Sequence, residues 1–168
     1  MSNFFNSECI KDIKYIKEDK YIKLIYNDTN LKIKFSNVII PFGVEKNYNN
    51  YIIKIIRNSE SHDLFTLIEN IEENNIQSLL STNIDKNKFN YKSQIEYKVN
   101  YGTFLTLKIP IVKNQFCVSI YNKNKELINV FDLLRKKSKI SLEFEIDSIW
   151  LFKDKYSCVP KVKNIYLH

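Results

Sequence analysis

The sequence predicts a mostly-β protein built as one small barrel with a single embedded helix. Most of the chain alternates apolar and polar residues with period two, which is typical of half-buried strands. One helical pattern, at about residues 60–80, interrupts this alternation. The 168 residues are 44% hydrophobic and 14% aromatic, which is enough for one core but not for two comfortable domains.

The N-terminal part is predicted to be a lead-in, residues 1–20, followed by one domain, residues 21–168. Residues 21–26 and 31–35 alternate on either side of the polar cluster 27–30, a pattern that predicts a β-hairpin. Pro41 and Gly43 then interrupt a strand pattern and predict a sharp bend. The β-branched run 51–57 predicts another strand.

The pattern changes after Ser59. A helix over about residues 60–80 is predicted because apolar side chains recur there at helical spacing. They are Leu64, Leu67, Ile68 and Ile71. Ser59, Ser61 and Asp63 are candidate N-terminal caps.

Strand patterns return after the helix and continue to the end of the chain. They cover residues 92–100, 103–112, 116–121, 140–152 and 156–167. Many short apolar strands favour a barrel, because closure removes exposed sheet edges. We therefore predict an OB-like barrel, a fold that commonly carries a helix between its third and fourth strands.

Motifs for catalysis are missing from the sequence. It contains no GxxxxGK[ST], GxSxG, HExxH or CxxC pattern, and its two glycines cannot form a glycine-rich loop. The three cysteines are far apart, which indicates reduced thiols in an intracellular protein and no structural zinc site. No apolar run approaches the ~20 residues that cross a bilayer. We expect no enzyme activity, cofactor, metal or membrane partner.

Charge is distributed unevenly along the chain, whose formal net charge is +7. Residues 58–85 contain acids and no Lys or Arg, whereas residues 86–125 contain eight lysines and one acid, Glu96. A basic stretch of this kind attracts polyanions. The acidic helix is expected to lie away from a nucleic-acid surface.

Aromatic and basic residues interleave on three stretches, which favours single-stranded nucleic acid as the ligand. Cations contact the phosphates, and flat rings stack on unpaired bases. Phe104 and Lys108 share the less apolar face of one strand and form the leading candidate pair. Trp150 has a competing interpretation as a core residue. The residues predicted to bind nucleic acid are Tyr51, Lys54, Arg57, Lys92, Tyr97, Lys98, Tyr101, Phe104, Lys108, Trp150, Phe152, Tyr156, Lys161 and Lys163.

Five short segments also occur in an order that resembles a known family. They are residues 41–46, 48–53, 91–95, 148–150 and 162–165. Over roughly residues 38–168 the arrangement resembles the single-stranded-DNA-binding proteins of nucleocytoplasmic large DNA viruses, and proteins of yeast cytoplasmic linear plasmids are similar in composition. The resemblance implies an OB fold and a role in viral or plasmid DNA replication. It also implies contacts with replication proteins and, for a virus, location at the replication site in the host cytoplasm.

The sequence also leaves two other functions open. A scaffold protein of a virion or replication complex would bury its aromatic faces against a protein partner, with little effect of salt. An RNA-directed enzyme or a cap-processing subunit is disfavoured by the missing catalytic residues. The sequence leaves open the choice between DNA and RNA, because no linear motif encodes a 2′-hydroxyl contact, and it leaves open a homo-oligomer.

Overall fold

The computed structural model describes residues 4–48, 50–82, 89–128 and 131–168. Asp85, Lys86 and Lys88 of the predicted charge pattern lie outside the described residues. The elements are a 3-10 helix (Ser7–Asp12), β1 (Lys14–Lys17), β2 (Tyr21–Ile25), β3 (Leu31–Ile40), β4 (Val44–Asn47), β5 (Asn50–Ile56), α1 (His62–Leu80), β6 (Tyr91–Lys92), β7 (Ile95–Lys98), β8 (Gly102–Ile109), β9 (Ile111–Val112), β10 (Gln115–Phe116), β11 (Ser119–Tyr121), a second 3-10 helix (Phe131–Leu133), β12 (Ser138–Ile146), β13 (Ser148–Phe152), β14 (Lys155–Ser157) and β15 (Lys161–Leu167).

Five of these strands form a barrel, which confirms the predicted mostly-β, OB-like fold. Hydrogen-bonded ladders join them in the order β3, β12, β15, β8 and β5, with β8 and β15 parallel. Contacts between β3 and β5 complete the circuit. In the described part of the chain no ladder joins β3 to β5, so the barrel is partly open, as OB folds are.

The barrel core is formed by alternate residues of each strand. Ile53 and Ile55 of β5 lie opposite Leu107 and Leu105 of β8, and all four are fully buried. Phe5 and Ile13, from the predicted lead-in, are buried in the same core.

The predicted helix is confirmed as α1, but its place in the barrel differs from the expectation. In chain order the barrel strands are β3, β5, β8, β12 and β15, so α1 follows the second strand and not the third. The strands before β3 belong to another sheet, which local alternation cannot reveal. Leu64, Phe65, Ile68 and Ile71 bury the apolar face of α1.

A second sheet contains β1, β2, β13, β14 and β6 in that order. It corrects two sequence expectations. β2 and β3 lie in different sheets, so residues 21–35 are not a regular hairpin, although one bridge joins Tyr26 to Thr29. The long strand expected over residues 140–152 is divided at Asp147 into β12 of the barrel and β13 of the second sheet.

A buried polar cluster attaches the second sheet to α1. The Tyr15 hydroxyl donates to Oδ1 of Asn75 over 2.8 Å, and Nδ2 of Asn75 donates to the Tyr91 hydroxyl over 3.1 Å. Burial raises the pKa of the Tyr15 and Tyr91 hydroxyls well above the ordinary value for tyrosine. Asn75 is fully buried, and these bonds satisfy an amide whose burial would otherwise be costly. One face of the second sheet is thereby held against the helix.

Candidate nucleic-acid interface

The outward surface of β5, β7 and β8 forms the first part of the site, which we call the outer barrel face. Residues directly opposite one another in an antiparallel pair project to the same side of a sheet. Lys54 lies opposite Thr106, Ile52 lies opposite Lys108, and Glu96 lies opposite Phe104. The side chains on the outer barrel face are therefore Ile52, Lys54, Ile56, Glu96, Lys98, Phe104, Thr106 and Lys108.

One carboxylate lies between two ammonium groups on the outer barrel face. Oε2 of Glu96 is 4.0 Å from Nζ of Lys54 and 3.9 Å from Nζ of Lys98. A single acid cannot neutralise both lysines, so this pair keeps a net positive charge. Lys108 adds to it. An open cavity of about 510 Å³ lies here, lined by Lys54, Lys98 and Lys92 among others.

The second part of the site is the outward surface of β2, β13 and β14, which we call the hairpin face. Trp150 lies opposite Tyr21 on one side and Ser157 on the other, and Phe152 lies opposite Lys155. Lys23 lies opposite Ser148. The hairpin face therefore presents the side chains of Tyr21, Lys23, Trp150, Phe152 and Lys155.

Two rings of the hairpin face are well exposed to solvent. Trp150 is 46% exposed and Phe152 is 74% exposed, so the competing interpretation of Trp150 as a core residue is wrong. The rings of Tyr21 and Trp150 are tilted by 31° with centroids 4.7 Å apart. A large accessible ring already supported on one side offers a surface on which a base can stack.

Hydrogen bonds fix the orientation of Trp150. Its Nε1 donates to Oγ of Ser148 over 2.9 Å, and that hydroxyl donates to Oδ1 of Asp147 over 2.7 Å. Oδ2 of Asp147 accepts from Nζ of Lys161. The indole plane is therefore held by a chain of contacts that ends on β15 of the barrel.

Lys92 joins the two parts of the site. It lies beside Ser157 in the parallel pair of β6 and β14, which places it next to the hairpin face, and it also lines the cavity of the outer barrel face. The loop after it is fixed by Glu72 of α1, whose carboxylate accepts from Oγ of Ser93 and from the backbone N–H of Gln94 over 2.8 Å. Burial raises the pKa of Glu72.

The leading predicted pair requires a correction. Phe104 does project to the side opposite Leu105 and Leu107, but it is only 1% exposed. The ring of Phe42, from the bend at residues 41–43, lies 5.4 Å from the Phe104 ring. The expected exposure of Phe104 was wrong, because a distant segment packs on the ring and withdraws it from stacking.

Tyr51 of β5 and Arg57, which directly follows β5, also point elsewhere. Tyr51 faces away from the outer barrel face, and its ring packs edge-on against Phe116 with centroids 5.0 Å apart. Both terminal nitrogens of Arg57 donate to the Glu69 carboxylate, over 2.6 and 3.3 Å. The Arg57 guanidinium is therefore committed to α1.

The remaining predicted residues divide between several places. Tyr97 is exposed but projects to the opposite side of β7 from Lys98, and Tyr101 is exposed in the turn of the same hairpin. Tyr156 is half-buried and stacks on Phe89 at 5.6 Å.

Two predicted lysines of β15 already have acidic partners. Lys161 contacts Asp147, and Nζ of Lys163 lies 3.1 Å from Oε2 of Glu145. Of the predicted set, the structure brings together Lys54, Lys92, Lys98, Lys108, Trp150 and Phe152 on the two connected faces.

Sequence reasoning missed Tyr21 and Lys23 as residues of the site. The alternation that places Tyr21 and Lys23 on one side of a strand is visible in the sequence. Their proximity to Trp150 depends on the pairing of β2 with β13, about 130 residues apart along the chain.

Within the four described ranges, no group of three or more His, Cys, Asp or Glu side chains is arranged to hold a metal ion. The same ranges contain no helix that combines the length and apolar character needed to cross a bilayer.

Comparisons with known proteins identify the fold. No protein-family model matches the chain, and no curated protein matches its sequence. The single-stranded DNA-binding protein from bacteriophage Enc34 superposes with a TM-score of 0.56 at 11% identity, over 92% of this chain and 88% of that one. In complex with single-stranded DNA, the Enc34 protein gives a TM-score of 0.54 at 10% identity, over 94% and 96% of the chains.

A second phage protein gives a similar result. The single-stranded DNA-binding protein gp2.5, encoded by bacteriophage T7, has a TM-score of 0.54 at 9% identity, over 83% of this chain and 86% of its own. At such identities the likeness establishes the fold alone, and it provides no link to large DNA viruses or yeast plasmids. The chain therefore has a β fold that it shares with these phage proteins.

Proposed function

We propose that this chain binds single-stranded DNA without sequence preference, as a non-enzymatic protein of viral or plasmid DNA replication. The single observation that carries the proposal is the junction of two surfaces. The exposed rings of Trp150 and Phe152 lie on a face that continues through Lys92 onto the lysines of the outer barrel face.

The rings supply base contacts that do not depend on sequence. Every base has a flat face, and stacking on an aromatic side chain contributes ~1–3 kcal/mol per base. Trp150 is held in a fixed orientation by its bond to Ser148, so little conformational entropy is lost when a base stacks on it. No part of this contact reads the hydrogen-bonding edge of a base.

The lysines supply phosphate contacts. Lys54, Lys92, Lys98 and Lys108 follow the outer barrel face, and Lys23 and Lys155 flank the rings. In OB folds the face of the second and third barrel strands and the adjacent loops bind oligonucleotides. Here those strands are β5 and β8, and the loop between the fourth and fifth barrel strands contains the β13–β14 hairpin.

The structural neighbours support the same class of ligand. The Enc34 and T7 proteins are named as single-stranded DNA-binding proteins, and one Enc34 structure is a complex with single-stranded DNA. We propose the same ligand for this chain, because its exposed rings and lysines lie on the strands and the loop with which OB folds bind oligonucleotides. Other replication proteins are proposed as partners on the same analogy.

Titration of the tryptophan fluorescence with oligo-dT tests the proposal. Trp150 is the only tryptophan in the sequence, so all of the tryptophan fluorescence comes from this ring. A base that stacks on it is expected to quench that fluorescence. Fluorescence anisotropy with labelled oligo-dT, oligo-U and duplex DNA measures affinity and the choice between ligands. Affinity for the single strand is expected to fall as salt rises, with a slope of about −0.7 per neutralised phosphate.

Matched lysine variants locate the contacts. The double variant Lys92→Gln and Lys155→Gln is expected to weaken binding and lower the salt slope, whereas Lys11→Gln with Lys123→Gln removes the same charge at exposed positions outside the two faces. Absence of binding to any single strand at low salt refutes the proposal. A scaffold role would then be favoured.

A further inference from the structure

A second group of rings lies on the other side of the β4–β5 hairpin from the outer barrel face. It surrounds an open cavity of about 730 Å³, which we call the aromatic cavity. Its lining includes Phe42, Tyr51, Phe116, Phe131, Arg135 and Lys136. Of these, Tyr51 belongs to the set of residues predicted to bind nucleic acid.

Phe116 is at the centre of the ring cluster. Its ring lies 4.0 Å from the Phe131 ring with an angle of 31°, and 5.0 Å from the Tyr51 ring with an angle of 83°. Phe116 nevertheless remains 38% exposed. An accessible ring held by two others is a preformed stacking surface.

Three cations surround these rings. Nζ of Lys46 lies 5.8 Å from the centre of the Tyr51 ring, and Arg135 and Lys136 line the aromatic cavity. Within the described residues, no carboxylate lies within 4.0 Å of the charged nitrogens of these three side chains. Among the described residues that line the cavity, Asp132 is the one acid and Arg135 and Lys136 are the two cations, so together they carry a net positive charge.

The backbone at Gly43 holds the basic segment in place. Gly43 has a φ of +72°, and a Cβ there would lie 2.7 Å from the carbonyl oxygen of Leu134. Only glycine allows this close approach in this conformation. The bend at residues 41–43 therefore packs directly on the backbone that carries Arg135 and Lys136.

The β4–β5 hairpin separates the aromatic cavity from the proposed DNA-binding surface and also connects them. Tyr51 faces the aromatic cavity, whereas Ile52 and Lys54 face the outer barrel face. Tyr48, at the tip between β4 and β5, is 91% exposed. A strand that leaves the outer barrel face can pass this ring and reach the aromatic cavity.

We propose that the aromatic cavity is a second subsite for the same DNA strand, in which a base stacks on Phe116 and the phosphates contact Arg135 and Lys136. This inference rests on the proposed function. Nucleic acid is favoured over an acidic protein segment because the rings, the unpaired cations and the exposed tip continue the chemistry of the outer barrel face. A long strand then occupies both sites, and a short strand occupies the first alone.

Oligonucleotides of two lengths test this subsite. OB folds occupy ~4–16 nucleotides, so oligo-dT of about 5 and about 16 nucleotides are the probes. Phe116→Ala is expected to weaken binding of the longer oligonucleotide by about 5- to 150-fold and to leave binding of the shorter one unchanged. Arg135→Gln with Lys136→Gln is expected to lower the salt slope for the longer oligonucleotide by about 1.4.

The controls separate this proposal from the proposed function. Trp150→Ala is expected to weaken binding of both lengths. Phe116→Leu keeps apolar volume without the ring, so if the melting temperature is retained, a loss similar to that of Phe116→Ala assigns the effect to stacking.

Three results would overturn the subsite. The first is that the two cavity variants, Phe116→Ala and the double variant Arg135→Gln with Lys136→Gln, bind the longer oligonucleotide as tightly as the wild type does, whereas Trp150→Ala binds it more weakly. The second is equal loss for both lengths. The third is that the wild-type protein binds a fluorescein-labelled, Asp/Glu-rich peptide containing Phe, and that the cavity variants lose this peptide binding but still bind DNA as the wild type does. If the wild-type protein binds neither length, the proposed function itself fails.

Discussion

Replacement of Glu96 by Gln is expected to strengthen DNA binding. Glu96 is the carboxylate shared by Lys54 and Lys98, at 4.0 and 3.9 Å. Its side chain is 57% exposed, and it lies among the lysines that we propose contact phosphates. Removal of the acid frees both ammonium groups and eliminates its repulsion of the DNA backbone.

The magnitude follows from the exposure and distances of these groups. Two unit charges 4 Å apart in water interact by about 1 kcal/mol, so affinity is expected to rise about 2- to 5-fold at low salt. The salt slope is expected to become steeper by about 0.7, the value for one additional neutralised phosphate on a single strand. The side chains of Lys98 and Glu96 are 42% and 57% exposed, and such exposed ion pairs contribute only ~0–1 kcal/mol to stability, so the variant is expected to fold.

Anisotropy titrations with labelled oligo-dT at several salt concentrations measure both quantities. Glu73→Gln is the matched control, since it removes the same charge from an exposed position on α1. The refuting result is a folded Glu96→Gln variant that gains no affinity for oligo-dT over the Glu73→Gln control, or binds more weakly than the wild type, at every salt concentration. The outer barrel face would then not contact the phosphates. A gain in affinity cannot be attributed to partial unfolding.

Three further predictions concern single positions. Trp150→Ala is expected to weaken oligo-dT binding, measured by anisotropy, by about 5- to 150-fold and to retain the salt slope. An unchanged affinity would exclude the ring from the contact. Phe104→Ala is expected to lower the free energy of unfolding, measured by urea titration, by about 3–5 kcal/mol. At urea concentrations too low to unfold the variant, it is expected to bind DNA as the wild type does. A stable variant that fails to bind DNA would restore Phe104 to the interface. Burial raises the pKa of Glu72 above its ordinary 4.5, so the folded state binds the proton more tightly and the free energy of unfolding falls as pH rises from about 4.5 through the raised pKa. Glu72→Gln is expected to remove that decrease, and urea titrations across pH that show the same decrease in the variant would contradict this role.

Local patterns were sufficient for the secondary structure of most of the chain. The helix expected over about residues 60–80 is α1, His62–Leu80, and the β-branched run 51–57 is β5, Asn50–Ile56. The bend at Pro41 and Gly43 was also predicted. Each of these features depends on side-chain periodicity or backbone freedom within a few residues, which a single sequence displays directly.

The sequence by itself determined that the chain is mostly β with one helix, rich in rings and lysines, and it showed which residues share a side of each strand. Only the tertiary structure decided which side is covered. Phe104 projects to the expected side but is buried, and the ring of Phe42 packs on it. Trp150 is exposed beside Tyr21, because the chain passes at Asp147 from the barrel to the second sheet. Alternation is a local property of a strand, whereas burial depends on contacts between segments far apart in the chain.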